Sequence, residues 1–157
     1  MTGVQTCALP ICATAARGLA EAIQLARTTG GRLRLIHVVD ELSLTLGVGA
    51  GMTATGDLRN LVREAGAATL VEGSKTVQAA GLEVDTVLKD SFAGRVYEHV
   101  VAEAARWLAD LVVVGTHGRR GVGRLVLGSD AENIARHAQT PVLLVRDTAP
   151  NGTAAVA

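Results

Sequence analysis

The chain has 157 residues, 48% hydrophobic but only 2% aromatic, with 15 Lys+Arg balancing 15 Asp+Glu. That length suits one domain able to bury roughly 70% of its unfolded surface without staples, around an aliphatic core. The balanced charge argues against nucleic acid or an anionic membrane as partner, no apolar run reaches the ~20 residues of a membrane span, and the start lacks the pattern of a secretory signal, so a cytoplasmic protein is expected.

The first segment, Thr2 to Ile11, contains Pro10 and few β-branched residues, and reads as a poor strand. It is followed by a predicted helix in which Ala16, Leu19, Ala20, Ile23 and Ala26 share one face and Gly30-Gly31 supplies the stop. Leu33 to Val39 reads as a strand, and Gly47 to Gly56 as a long mobile loop after it. A second helix spans Asp57 to Ala80 with Leu58, Leu61, Val62, Ala65 and Ala68 as its stripe, ended by Gly81. Val84 to Leu88 alternates as a strand should. The third helix follows Ser91 and turns Tyr97, Val100, Val101, Ala104 and Leu108 inward. Leu111 to Val114 is a continuous apolar run, the pattern of a central strand covered on both faces. A short helix from Asp130 to His137, with Ile134 and Ala138 inward, and a last strand from Pro141 to Val145 complete the pattern. The tail from Asp147 to Ala157 has no periodicity and reads as frayed. Strict alternation from Ala13 onward implies right-handed crossovers and a parallel sheet between helices, hence an α/β fold.

One stretch carries chemistry. Gly115-Thr116-His117-Gly118 leaves the central strand, and after nine residues Gly128-Ser129 enters the last helix. Ligands of open α/β sheets bind at the carboxyl ends of strands, and a helix start offers N–H groups and a positive dipole end to phosphate. Glycine at 115, 118 and 128 lets backbone approach phosphate oxygens, and the Ser129 hydroxyl adds a donor. A structural alternative stands beside this: Ser129 and Glu132 also spell a capping box. Arg119, Arg120 and Arg124 could neutralise phosphates, but an exposed Arg cluster is more often a solvated surface. Gly121 and Gly123 also read as loop punctuation. His117 reads as an orienting or solvent-facing group rather than a base, and His37 and His99 as structural. No Walker lysine motif and no metal-ligand spacing occurs.

The Gly-x-x-Gly, nine residues, Gly-Ser spacing resembles the universal stress protein family. Leu111 to Arg119 and Thr140 to Val145 resemble that family's closing half, and the likeness runs from about Ala13 to Arg146. It implies an open five-stranded parallel sheet of order 3-2-1-4-5, Rossmann-like and related to the adenine-nucleotide hydrolases, with ATP between strands 1 and 4. By the same resemblance Gly115, His117, Gly118, Arg119, Gly128 and Ser129 would hold ribose and phosphates, with Asp130 and Ala131 following at the helix start. Val39 would meet adenine through its backbone. Mg²⁺ would come with ATP rather than from a protein ligand set, and a homodimer would form by antiparallel pairing of Pro141 to Val145.

Residues 1–12 depart from the family. Its opening strand ends in Asp-Gly-Ser, and here Pro10 stands at the Asp position and Cys12 at the Ser. Both cysteines, Cys7 and Cys12, fall in this segment, so no disulfide framework or thiolate site is expected. Met1 to Ile11 resembles an in-frame translation of a sequencing-library adapter, which would make it a non-native replacement of strand 1, ahead of a domain over 13–146 and a tail over 147–157. Three functions fit: an ATP-binding regulator with at most slow hydrolysis or autophosphorylation, a nucleotide-free dimerisation module, or an adenylyl-transfer enzyme of the wider superfamily.

Overall fold

The structure is a computed structural model and describes residues 3–7, 13–40, 56–91, 95–116 and 127–146. Its elements in chain order are β1 (Gly3–Cys7), α1 (Ala13–Thr29), β2 (Arg32–Asp40), α2 (Gly56–Ala79), β3 (Val84–Ser91), α3 (Val96–Trp107), β4 (Leu111–Gly115), α4 (Ser129–His137) and β5 (Val142–Val145). The five strands form one parallel sheet of order β3-β2-β1-β4-β5, the order the resemblance implied. Most of the loop expected over Gly47 to Gly56 and all of the tail over Asp147 to Ala157 lie outside the described residues; Gly56 opens α2.

Alternation along β2 and β4 divides the core in two. Ile36, Val38, Val112 and Val114 point to one face and pack under α3 and α4 with Val96, Val100, Ala104, Ala131 and Ile134. Leu33, Leu35 and Val113 point to the other and pack under α1 and α2 with Ala22, Ala26, Leu70 and Val77. A strand covered on both faces needs the continuous apolar run that β4 shows, while β2 breaks its run with Arg34 and the buried His37.

The helices bury different stripes from those expected. In α1, Ala16 and Ala20 are exposed, and the inward line is Thr14, Gly18, Ala22 and Ala26, with Leu19 and Ile23 half-buried. In α2, Leu61 is 62% exposed and Ala65 and Ala68 also face outward, while Gly66, Leu70 and Val77 are buried, with Val62 and Gly73 half-buried. The side chain of Leu58 lies outside the described set. The reason is close approach. A Cβ on Gly66 would stand 2.8 Å from His37 Cδ2, and one on Gly73 would stand 2.8 Å from Leu35 Cδ1. Gly66 and Gly73 are the contact surface. In α3, Leu108 is not inward: it terminates the helix in the left-handed region (φ 53°) and is 83% exposed.

β3 runs past its expected end at Leu88, because Lys89, Asp90 and Ser91 stay paired with Val38, Val39 and Asp40. Their charges are neutralised locally. Arg63 of α2 pairs with Asp90, and Lys89 Nζ lies 3.4 Å from Glu103 Oε2. Glu103 is the centre of a buried ionic cluster on the α3 face, its side chain 1% exposed, bound by Arg34 at 2.8 Å and by Arg106 as well. Burial pushes its carboxyl up, but hydrogen bonds from Arg106, Arg34 and Lys89 outweigh that and hold it below the ordinary carboxylate range.

Candidate functional site

β1 fixes where a ligand can enter. Its ladder with β2 runs from Gly3↔Arg32 to Cys7↔Ile36, and its ladder with β4 ends at Thr6↔Val113. β2 continues four residues past Ile36, the partner of Cys7, and β4 continues two residues past Val113, the partner of Thr6. The carboxyl ends of β1 and β4 lie where the chain order reverses, the position that binds ligands in open α/β sheets.

Gly115 is the last residue of β4, and packing alone already requires a glycine there. A Cβ on it would stand 3.0 Å from Thr14 Cγ2 and 3.3 Å from the Thr14 carbonyl oxygen, so the first turn of α1 rests on it. The following residue, Thr116, is buried and ties the site together. Its N–H donates to the Val145 carbonyl at 2.9 Å, and its own carbonyl accepts from Gly128 N–H at 2.8 Å. The chain thus leaves the sheet at Thr116 and returns bonded to it at Gly128. The sequence reading gave Thr116 no role; its only signal was a β-branched residue between two motif positions. His117, Gly118 and Arg119, with Arg120, Arg124, Gly121 and Gly123, lie outside the described residues.

Gly128 is the N-cap of α4, in an extended conformation (φ −60°, ψ 140°), and Ser129 is the first helical residue. The capping-box alternative therefore fails: Ser129 is one position too late to cap. Its hydroxyl is exposed, and Glu132 instead pairs with Arg136 at 2.8 Å. The intrahelical ladder begins with Glu132 N–H donating to the Gly128 carbonyl at 2.9 Å. A glycine cap has no side chain to cover the N–H groups of the first turn, and those groups with the dipole end suit an anion. Asp130 and Glu132 in the same turn oppose one. Ala131 is buried with Ile134 in the core, so it contributes packing and only its backbone can meet a ligand. The same holds for Val39, buried next to the end of β2 opposite Asp90. The structure thus gathers Gly115, Gly128, Ser129, Asp130 and Ala131 at the ends of β4 and α4, and sets Val39 on the far side of β1.

His37 is buried against Gly66, as a structural histidine would be, and His99 is half-buried in α3. Among the described residues no group of three or more His, Cys, Asp or Glu is placed to hold a metal ion, and no helix is long and apolar enough to cross a membrane.

Comparison with known proteins gives the family and the fold. The sequence pattern of the Universal stress protein family matches residues 10–146. A universal stress protein of Methanocaldococcus jannaschii is 30% identical over 128 residues, covering 80% of this chain and 71% of that protein. The solved structure of a further protein of that organism superposes with a TM-score of 0.78 at 21% identity, over 94% of this chain and 97% of the other. A universal stress protein of Archaeoglobus fulgidus, solved in complex with dAMP, superposes with a TM-score of 0.66 at 20% identity, over 92% of this chain and 98% of that one.

Proposed function

The chain belongs to the universal stress protein family, and on that premise we propose that it is a nucleotide-responsive regulator of a stress response whose ligand is ATP. The observation that carries this reading is the meeting of Gly115 and a glycine-capped α4 at the carboxyl end of β4, joined by the hydrogen bond from Gly128 N–H to the Thr116 carbonyl. A protein of the same fold holds dAMP, so the fold accommodates an adenine nucleotide. Phosphates would lie against Gly128 and Ser129, assisted by His117, Gly118 and Arg119, and adenine against the Val39 backbone. Mg²⁺ would enter with the phosphates and offset Asp130. The protein binds rather than turns over its ligand, works in the cytoplasm, and acts as a homodimer.

The two sheet edges support β5 as the dimer contact. β3 is guarded by Asp85, Lys89 and Asp90, each in an ion pair with Arg34, Glu103 or Arg63. Val142 to Val145 carries no charge, and an uncharged edge strand is a template for pairing. Antiparallel pairing about a dyad between Leu143 and Leu144 would join two such edges.

Calorimetric titration of ATP into the protein and into Gly128→Val tests the site. Micromolar binding that the substitution abolishes is the expected result. A folded, dimeric protein that takes up no ATP would replace this reading with the nucleotide-free module, which the acidic first turn of α4 and Pro10 favour.

A further inference from the structure

The apolar stripe that spacing picks out in α1 is not wholly spent on the core. Ala16 and Ala20 stay exposed and Ile23 half-buried, and with Ala80 of α2 they line a groove of about 610 Å³ between the two helices. The helices meet at Leu19 and Gly73, where a Cβ on the glycine would stand 3.9 Å from Leu19 Cδ2. The groove walls carry alanine methyls in place of longer side chains, so the space between them stays open among the described residues. From Ala16 to Thr28 it follows α1 for about 18 Å, at 1.5 Å per residue.

Gln24, Arg27 and Thr28 make the carboxyl-terminal end of α1 the polar end of the groove. The lining hydroxyls are already committed: Thr28 Oγ1 donates to the Gln24 carbonyl at 2.9 Å, and Thr76 Oγ1 to the Glu72 carbonyl at 3.0 Å. Arg27 is not. Arg34, Arg63, Arg106 and Arg136 each hold a carboxylate, whereas Arg27 pairs with none among the described residues. The helix end does not claim it either, because the Leu25 and Ala26 carbonyls accept from Thr29 Oγ1 and Gly31 N–H. Glu72, one turn before Thr76, is held by Lys75 at 2.7 Å. An elongated apolar trough that ends in an uncommitted guanidinium complements a linear apolar chain that ends in a carboxylate.

We propose that the groove between α1 and α2 binds a linear aliphatic carboxylate, its chain along Ala16, Ala20, Ile23 and Ala80 and its carboxylate on Arg27, with the Gln24 amide as a second donor. The groove lies on the α1 and α2 face of the sheet, and Gly128 and Ser129 belong to α4 on the other. The site therefore does not depend on nucleotide binding.

The test is a titration of the full chain with sodium decanoate, below its micelle-forming concentration, followed by calorimetry and by amide NMR. Saturable binding that shifts the signals of Ala20, Ile23 and Ala80 is expected, and it should weaken roughly twofold for each methylene removed, as half-burial of each group gives. Arg27→Gln should lower the affinity about tenfold, the weight of a hydrogen bond to a charged group. Ala20→Glu should abolish binding. Both substitutions fall at exposed helix positions, and melting curves confirm that each variant is folded. Decyltrimethylammonium carries the same tail on a cation and should bind about tenfold more weakly or not at all. Absence of saturation, signals that shift elsewhere, undiminished affinity in Arg27→Gln, or equal binding of the cation, the mark of adsorption without a site, would each overturn the proposal.

Discussion

Asp110 and Gly3 hold each other through two hydrogen bonds in opposite directions, one from the Gly3 N–H to the Asp110 carboxylate and one from the Asp110 N–H to the Gly3 carbonyl. The first depends on the side chain. Asp110→Ala removes that acceptor and leaves the part-buried Gly3 N–H without it, which costs about 1–3 kcal/mol. Urea unfolding followed by Trp107 fluorescence should show a lower midpoint at unchanged slope.

Glu103 is one carboxylate facing three cations from three elements. Glu103→Gln leaves Arg34, Lys89 and Arg106 confronting one another, and breaking such a buried pair costs about 3 kcal/mol or more. The same group sets an acid limit. Its folded pKa lies below its unfolded value, so its contribution is present above the unfolded pKa and is lost as pH falls through the folded one. The stability of the native protein should therefore fall below about pH 4.3, the ordinary glutamate value, more steeply than that of Glu103→Gln. Equal slopes in urea titrations across that range would refute the assignment.

Gly66 lies where α2 comes closest to His37. Alanine raises helix propensity by about 1 kcal/mol, yet here its methyl would stand 2.8 Å from a buried ring, and overpacking costs about 1–3 kcal/mol. Gly66→Ala should lower the melting temperature despite the better helix former. An increase would mean that α2 can move away from the sheet.

Leu108 holds a left-handed conformation that penalises a side chain by roughly 1–2 kcal/mol, and at 83% exposure its isobutyl group returns little through burial. Leu108→Gly should stabilise the protein by about 1 kcal/mol, a rise of roughly 2–4 °C in a chain of this size. Thermal melts of the two proteins decide it.

Much of the sheet was legible because β4 is an unbroken apolar run and β2 is rich in Leu, Ile and Val, as strands covered on both faces tend to be. The helix faces were not. An apolar residue exposed on a helix looks the same in sequence as one buried, and α1 and α2 approach the sheet so closely that glycine and alanine share the contact with Leu70 and Val77. Gly66 and Gly73, two poor helix formers seven residues apart, were the overlooked signal. At the site, the Gly115 and Gly128 positions were readable from spacing. The closing role of Thr116 was not, because it acts through its backbone. The Ser129 cap failed by one residue, a difference that only the dihedrals of Gly128 reveal. The Glu103 cluster escaped because its members are scattered along the chain and meet only in the fold.

The contrast between the two sheet edges sets a limit on growth. A subunit receptive at both edges could add neighbours without end and build a filament. On the proposed reading, in which β5 pairs and the charged β3 does not, a symmetric contact would consume both receptive edges at once. Assembly by edge pairing then terminates at two copies.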